Sequence, residues 1–389
     1  MAFIYTRSQL LSDINRKIFG KIGMIASQED FANEVVREVR NDIAIRSAKR
    51  KMALTPHLFP QIYQYAVPSD LFDYKIIDIP AQAKDHDESF TLVPVEQFTN
   101  RPNSGEIAID DYNGQRVLLI NSAITSEQQL IAELDSLNSG GGTWEIVGGA
   151  ENLARDGDDY IKGAGSLSFD LSAASETTAG IKNTNINEFD ITDFLGGNSA
   201  AFVHTKINSA TNITNYILHL GTDESNYYSK TITAKHDGNA FEAGWNLLRF
   251  DLSSLTEIGT VTNTSINYAS VYMTKDTGKV SESDYKFDWL TILKGARHDI
   301  TYYSKYGWQS SAGVYKQLST DASDLLVADE SEYDLFLKKG RYIGLQETNN
   351  DDNIIDKAAK DYDLAMKLYG MNNPDESQLM ISTYSNQQI

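Results

Sequence analysis

The sequence predicts a multidomain α+β protein in which a helix-bearing host domain with a small β region (1–142 and 296–389) carries an inserted antiparallel β-sandwich (143–295). Three observations predict it. Apolar residues recur at helical spacing near both ends of the chain. Between Thr143 and Gly295 the period changes to two, with Gly, Asn, Asp and Ser separating short runs. A glycine triplet, Gly140-Gly141-Gly142, stands where the period changes. With 389 residues, 41% of them apolar, the chain exceeds the size at which a single hydrophobic core keeps growing.

The elements follow in order. Ser27-Gln28-Glu29-Asp30 reads as an N-cap with acidic first-turn residues, and Phe31, Val35, Val39 and Ile43 then recur every fourth position with Val36 beside them. A long amphipathic helix is expected, closing with Arg46, Lys49, Arg50 and Lys51, whose charges offset the C-terminal dipole, before Pro56 and Pro60. Ile62 to Leu71 gives a short strand turning at Pro68, and Lys75 to Ile79 another apolar run. Strands are expected at Glu106 to Ile109 and Arg116 to Ile120, with a turn at Asn113-Gly114. From Ser126, with Gln129 three residues on, the stripe Leu130, Ile131, Leu134 and Leu137 predicts a second helix, for which the glycine triplet is a C-cap and a flexible joint.

Within the insert, Leu167, Phe169 and Leu171 alternate with Ser166, Ser168 and Asp170. Ala201, Val203 and Ile207 alternate with Phe202, His204 and Lys206, and Val271 and Met273 with Tyr268, Ser270 and Tyr272. Each strand thus has one apolar face, as packing two antiparallel sheets requires. After Gly295, Ile300 to Tyr303 continues the β pattern, and helices return at Ser331 to Leu345 and Ile354 to Tyr369, ahead of a polar tail beyond Pro374.

Composition excludes several functions. The absence of cysteine removes disulfides, thiolate metal sites and cysteine nucleophiles. A net charge of −20 argues against general nucleic-acid binding, which needs clustered Lys and Arg. Charge is uneven: bases outnumber acids from Met1 to Met52, and acids dominate from Asp321 to Ile389. No run approaches ~20 apolar residues, and Ser8, Asp13, Arg16 and Lys17 interrupt the start, so a soluble chain without membrane span or export signal is expected. No catalytic role is expected either. The histidines lack the i, i+4 spacing of a helical zinc motif, there is no Gly-x-Ser-x-Gly elbow or phosphate-cradling loop, and among 54 acids a suitably spaced carboxylate pair carries no information.

Trp144-Glu145-Ile146, Gly165 to Asp170, Gly244-Trp245-Asn246 through Ser253, and Phe287-Asp288-Trp289-Leu290 occur in an order that resembles the β-jelly-roll carbohydrate-binding modules. The resemblance covers the insert. It implies one structural calcium held by Glu151, Asp170 and Asp288, with the Asp156-Gly157-Asp158-Asp159 loop either a further source of oxygen ligands or simply a turn. It also implies that Trp245 is buried. For glycan recognition, alternation turns His204, His219, Tyr268 and Tyr272 away from their aliphatic neighbours, as aromatic platforms or as ordinary residues of an exposed sheet.

The host segments carry Tyr65-Ala66-Val67-Pro68-Ser69-Asp70-Leu71 after the first long helix, and Tyr302-Tyr303-Ser304-Lys305-Tyr306-Gly307-Trp308 before two closing helices. In this they resemble the head–tail connector or adaptor (neck) proteins of tailed bacteriophages. That resemblance implies a structural virion protein, assembled in the host cytoplasm, that forms a dodecameric homo-oligomeric ring between the portal and tail proteins. Its acidic lumen would let double-stranded DNA pass without sequence-specific binding, and the sandwich would project as decoration. The alternative is a glycan-binding adhesion protein of a virion or cell surface.

Overall fold

The structure, a computed structural model of the full chain, describes residues 4–53, 58–78, 91–98, 106–112, 115–121, 127–172, 177–196, 198–275, 282–295, 299–348 and 351–373. The expected turn at Asn113-Gly114 and the tail beyond Pro374 lie outside the described residues. The chain forms two compact units: Met1–Met52, Pro68–Asp78 and Ile300–Ile389 make the first, and Ala53–Val67 and Ile79–Asp299 the second.

The first unit is built on four helices: α1 (Arg7–Lys17), α2 (Gln28–Asp42), α3 (Glu330–Glu347) and α4 (Asp352–Asn372). Their stripes, including Leu10 and Ile14 of α1, Phe31, Val35 and Val39 of α2, Phe336 of α3 and Tyr362 of α4, share one core with Tyr303 and Trp308. Ser27 caps α2 through Asp30 N–H at 3.2 Å, as its sequence predicts. The helix ends at Asp42, however, short of the basic cluster. Ile43, Ala44 and Ile45 are all buried, and three consecutive inward side chains require the chain to leave the helix. Arg46 therefore pairs with Asp329 instead of offsetting the α2 dipole. Asp329 and Glu332 form a reciprocal capping box at the start of α3. A three-stranded sheet sets Asp299–Ser304 between Lys49–Ala53 and Leu71–Asp78, and its Lys49–Ala53 strand takes basic residues that the sequence places at the end of the first long helix.

The second unit is an antiparallel β-sandwich with a smaller four-stranded sheet. In the sandwich one sheet, here the back sheet, runs in the order Gly244–Asp251, Ser199–Ile207, Glu282–Lys294, Ser166–Leu171, Ala150–Asp156. The front sheet runs Thr256–Ile258, Asn226–Ile232, Ile213–Asp223, Tyr268–Lys275, Thr178–Asn183, Glu145–Gly148. Leu167, Phe169 and Leu171 from the back and Leu218, Val271 and Met273 from the front meet in one core, so the predicted alternation holds. The Ser199–Ile207 strand departs from it: Ala200 and Phe202 are buried on the other face as well.

Two expectations fail between Ser126 and Trp144. Ser126 lies outside the described residues, and Gln128–Ala132 is a strand where a helix is expected. The Glu282–Lys294 strand is long, and Ser166–Leu171 pairs only with its first half. The Leu290 to Leu293 edge stays open, and Gln128–Ala132 pairs there. A backbone edge that would otherwise be unsatisfied outweighs a short helical stripe. Nor is the glycine triplet a flexible joint. Gly140, Gly141 and Gly142 all have positive φ (77°, 89° and 56°), and a Cβ on Gly140 would fall 2.1 Å from the Ile131 carbonyl oxygen. The triplet is a packed turn inside the second unit, not its boundary.

The four-stranded sheet (Gln64–Ala66, Gln115–Ile120, Glu106–Tyr112, Thr91–Leu92) also belongs to the second unit, although the sequence pattern assigns it to the host. Contacts distant in sequence decide this. Gln64 Nε2 donates to Asp237 Oδ2 at 2.6 Å, and the Phe59 and Tyr65 rings meet Phe202 and His236 edge-on at 4.9 and 5.1 Å.

Candidate binding groove

The outward face of the front sheet carries a groove of about 380 Å³. Pairing register builds it. His219 lies opposite Ser270 on one side and Ser229 on the other, while Tyr268 and Tyr272 flank Ser270 on the same face. Gly221 is paired with both Tyr268 and Tyr227, and Gly180 with Tyr272. With no side chains there, the aromatic rings are left uncovered from the neighbouring strand. A Cβ on Gly180 would sit 2.4 Å from the Tyr272 Cα, and one on Gly221 2.5 Å from the Tyr227 Cα, so these strands approach only because both positions are glycine.

The side chains form a connected set. The His219 imidazole stacks on the Tyr227 ring, with centroids 4.1 Å apart, and meets the Tyr272 ring edge-on at 5.1 Å. Tyr272 Oη and His219 Nε2 share a hydrogen bond at 3.0 Å. Burial lowers the His219 pKa to about 4, so the ring is neutral at pH 7. Tyr268 is only 5% exposed, and burial raises its phenol to about 12. It forms the floor, while the half-buried Tyr227 and Tyr272 supply ring surface.

The rim is polar. Asp223 Oδ1 accepts from Ser225 N–H at 2.7 Å and Asn226 N–H at 3.0 Å, closing the turn that carries Glu224 over the groove. Lys182 Nζ reaches Glu224 Oε1 at 2.6 Å. Aromatic faces beside donors and acceptors can stack on the apolar side of a pyranose and bind its hydroxyls.

Three of the sequence candidates, His219, Tyr268 and Tyr272, therefore come together. His204 does not. It lies on the opposite sheet, 5.8 Å from the Trp289 ring, where burial lowers its pKa to about 3. Alternation shows only that a residue faces outward, not from which sheet. Tyr227 was not predicted, because the adjacent pair Tyr227-Tyr228 leaves the facing residue undecided. The Asp223 to Asn226 turn fixes the register and turns Tyr227 outward, with Tyr228 against the core.

The chain was compared with known proteins. No family model matches it. No curated protein matches it either. Among solved structures, the chain is similar to a family 11 carbohydrate-binding module from Clostridium thermocellum in complex with a β-1,3-1,4-mixed-linked tetrasaccharide (12% identity, TM-score 0.31, 44% of this chain and 98% of that one). It is similar to TmCBM61 in complex with β-1,4-galactotriose (10%, 0.27, 43% and 99%). It is also similar to an exo-β-agarase (10%, 0.30, 44% and 26%). None of the three is a connector, portal or tail protein, and the ring, DNA-channel and virion expectations draw no support from them.

The residues expected to hold calcium do not fit it. Among the described residues no group of three or more His, Asp or Glu is arranged to hold a metal ion. Asp170 pairs across strands with Glu151, its Oδ2 accepting from Asn152 Nδ2 at 2.8 Å and its Oδ1 from Asp284 N–H at 3.2 Å. Asp288 lies four residues further along the Glu282–Lys294 strand than Asp284, opposite His204. It is buried, with Oδ2 accepting from the Ile161 and Lys162 N–H groups at 2.7 and 2.8 Å. Trp245 is likewise not a core residue. Asn246, Leu248 and Phe250 are the buried positions of its strand, so the indole faces out and donates to Asp159 Oδ1 at 2.9 Å.

Proposed function

We propose that the sandwich is a glycan-binding module whose site is the Tyr227, His219 and Tyr272 groove. The observation that carries this reading is the open aromatic surface bordered by the Lys182–Glu224 pair. The groove has the concave, mixed aromatic and polar character of a small-ligand site, and a neutral imidazole beside two phenols offers both donors and acceptors to hydroxyl groups. Glu224 is half exposed and the chain carries −20, so the ligand is a neutral glycan rather than a uronate polymer. The module binds and does not cleave.

Isothermal titration of the full chain against neutral β-glucan, galactan and xylan oligosaccharides, with polygalacturonate as the acidic control, tests this. Micromolar binding to at least one neutral chain, abolished in Tyr272→Ala, is the expected result. A folded protein that binds none of them overturns the reading.

A further inference from the structure

The carboxylates of the Asp156–Asp159 loop, a candidate source of calcium ligands in the sequence, converge instead on lysine. Lys286 Nζ lies 3.1 Å from Asp156 Oδ2 and 2.9 Å from Asp159 Oδ2, and also pairs with Asp284 Oδ1. Lys206 Nζ lies 2.5 Å from Asp159 Oδ2 and 2.8 Å from Asp284 Oδ2. The two remaining oxygens are taken as well. Asp156 Oδ1 accepts from the Asp158 and Asp159 N–H groups at 2.8 and 3.3 Å, and Asp159 Oδ1 accepts from Trp245. Every oxygen of the three carboxylates thus has a donor.

We propose that the Lys286 and Lys206 ammonium groups do here what a bound divalent cation would do, so that the sandwich closes this loop by an internal ion cluster and needs no metal. Calcium requires six to eight oxygens at about 2.3–2.6 Å with no competing cation, whereas here the shared centre of Asp156, Asp159 and Asp284 is an ammonium whose side chain is 2% exposed. Charge balances closely: two lysines face three aspartates, and the Trp245 indole and two backbone N–H groups meet the remaining negative charge. Position in the fold makes the arrangement possible. Lys206 and Lys286 are cross-strand partners in the Ser199–Ile207 and Glu282–Lys294 strands, and Trp245 is the partner of Lys206 on its other side. One row across the back sheet therefore supplies the whole cationic side of the cluster. Burial opposes the charge of Lys286, but Asp284, Asp159 and Asp156 outweigh it and raise its pKa. Asp159, opposed by burial in the same way, is held well below the usual carboxylate range by Lys206, Lys286 and Trp245.

The test is thermal unfolding of the full chain with excess EDTA or with millimolar calcium chloride, together with terbium luminescence sensitised by Trp245. Wild type is expected to unfold at the same temperature in both and to give no sensitised terbium emission at micromolar metal. A chelator-induced fall in Tm, or saturable terbium emission from wild type, overturns the proposal. The double variant Lys206→Gln, Lys286→Gln leaves three carboxylates facing one another. Its Tm should fall on the order of 10 °C and recover with calcium, and terbium emission should appear. A double variant that keeps the wild-type Tm also overturns it. Should the double variant fail to fold, Asp284→Asn, which removes one carboxylate and keeps both lysines, must unfold at lower temperature without gaining any response to calcium.

Discussion

The His219 imidazole lies face to face with the Tyr227 ring, centroids 4.1 Å apart and planes 26° from parallel, and the same imidazole shares a hydrogen bond with Tyr272 Oη at 3.0 Å. One histidine therefore fixes the positions of both tyrosines that offer ring surface in the groove. The aromatic surface is thus held in place by contacts within the chain itself, an arrangement that lowers the entropic cost of the proposed glycan binding.

Replacing either ring should cost affinity without costing fold. Tyr227→Ala and Tyr272→Ala are expected to weaken glycan binding by about tenfold or more, the order of an aromatic interface anchor. Both rings sit on the outer face, so Tm should stay close to wild type. Titration calorimetry paired with thermal melts checks this, and an equal loss of stability and affinity would reveal a structural role instead.

Binding should be insensitive to pH across the neutral range. The His219 pKa is held near 4 by burial, so the ring stays neutral from pH 5 to 8 and keeps its bond to Tyr272. An unfolded histidine titrates near 6.5, so the unfolded chain binds more protons than the folded chain between those values. The His219 contribution to stability is therefore present above pH 6.5 and is lost as pH falls toward 4. Affinity measured at pH 5, 6, 7 and 8 should be constant, and His219→Phe should remove this residue's share of the acid sensitivity in urea unfolding.

Asp288 predicts the opposite slope. Burial raises its carboxyl to about 6, with the Lys162 and Ile161 N–H groups pulling the other way, and its buried Oδ1 has no hydrogen-bond partner among the described residues. The folded state here binds more protons than the unfolded state between about 4 and 6, so stability falls as pH rises through that window. His204 and His236, both depressed by burial, oppose it there. The difference between wild type and Asp288→Asn isolates the carboxyl. Relative to the variant, wild type should lose roughly 2–3 kcal/mol between pH 4 and about pH 7 and nothing further above it, as read from urea midpoints.

At the start of α3, Asp329 accepts from Glu332 N–H at 2.9 Å, and Glu332, fully buried, returns a bond to Asp329 N–H at 2.9 Å while also accepting from Tyr369 Oη and Ser47 N–H. Asp329→Ala should cost about 1 kcal/mol, because Glu332 keeps its other donors. Glu332→Ala should cost more, since it removes a fully buried acceptor shared by the Asp329 and Ser47 N–H groups and the Tyr369 hydroxyl. Chemical denaturation should rank them in that order.

Much of this arrangement was legible from local patterns. The Ser27 cap and the Phe31, Val35, Val39 stripe marked α2, the helical pattern from Ser331 to Leu345 marked α3, and the alternation at Leu167, Phe169 and Leu171 marked a sandwich strand, because each is set by how neighbouring side chains sort between water and an apolar interior. The same local signal misled at Gln128–Ala132, where an unfilled edge of the Glu282–Lys294 strand lies more than 150 residues away in sequence. It was silent at Tyr227 and misplaced His204, since period two separates faces but does not say which sheet a face belongs to.

The sequence by itself determined the helices α2, α3 and α4, that a β-sandwich exists, and that tyrosine and histidine face outward from it, since periodicity and turn chemistry act over a few residues; it did not mark α1 or the Lys49–Ala53 and Gln128–Ala132 strands. Only the tertiary structure decided which of those side chains share a surface, that Gly180 and Gly221 leave the rings uncovered, that the glycine triplet is a packed turn, and that Lys206 and Lys286 pair with Asp156, Asp159 and Asp284. Those outcomes depend on strand register and on the distance between charges, and both are set by pairings between residues far apart in the chain.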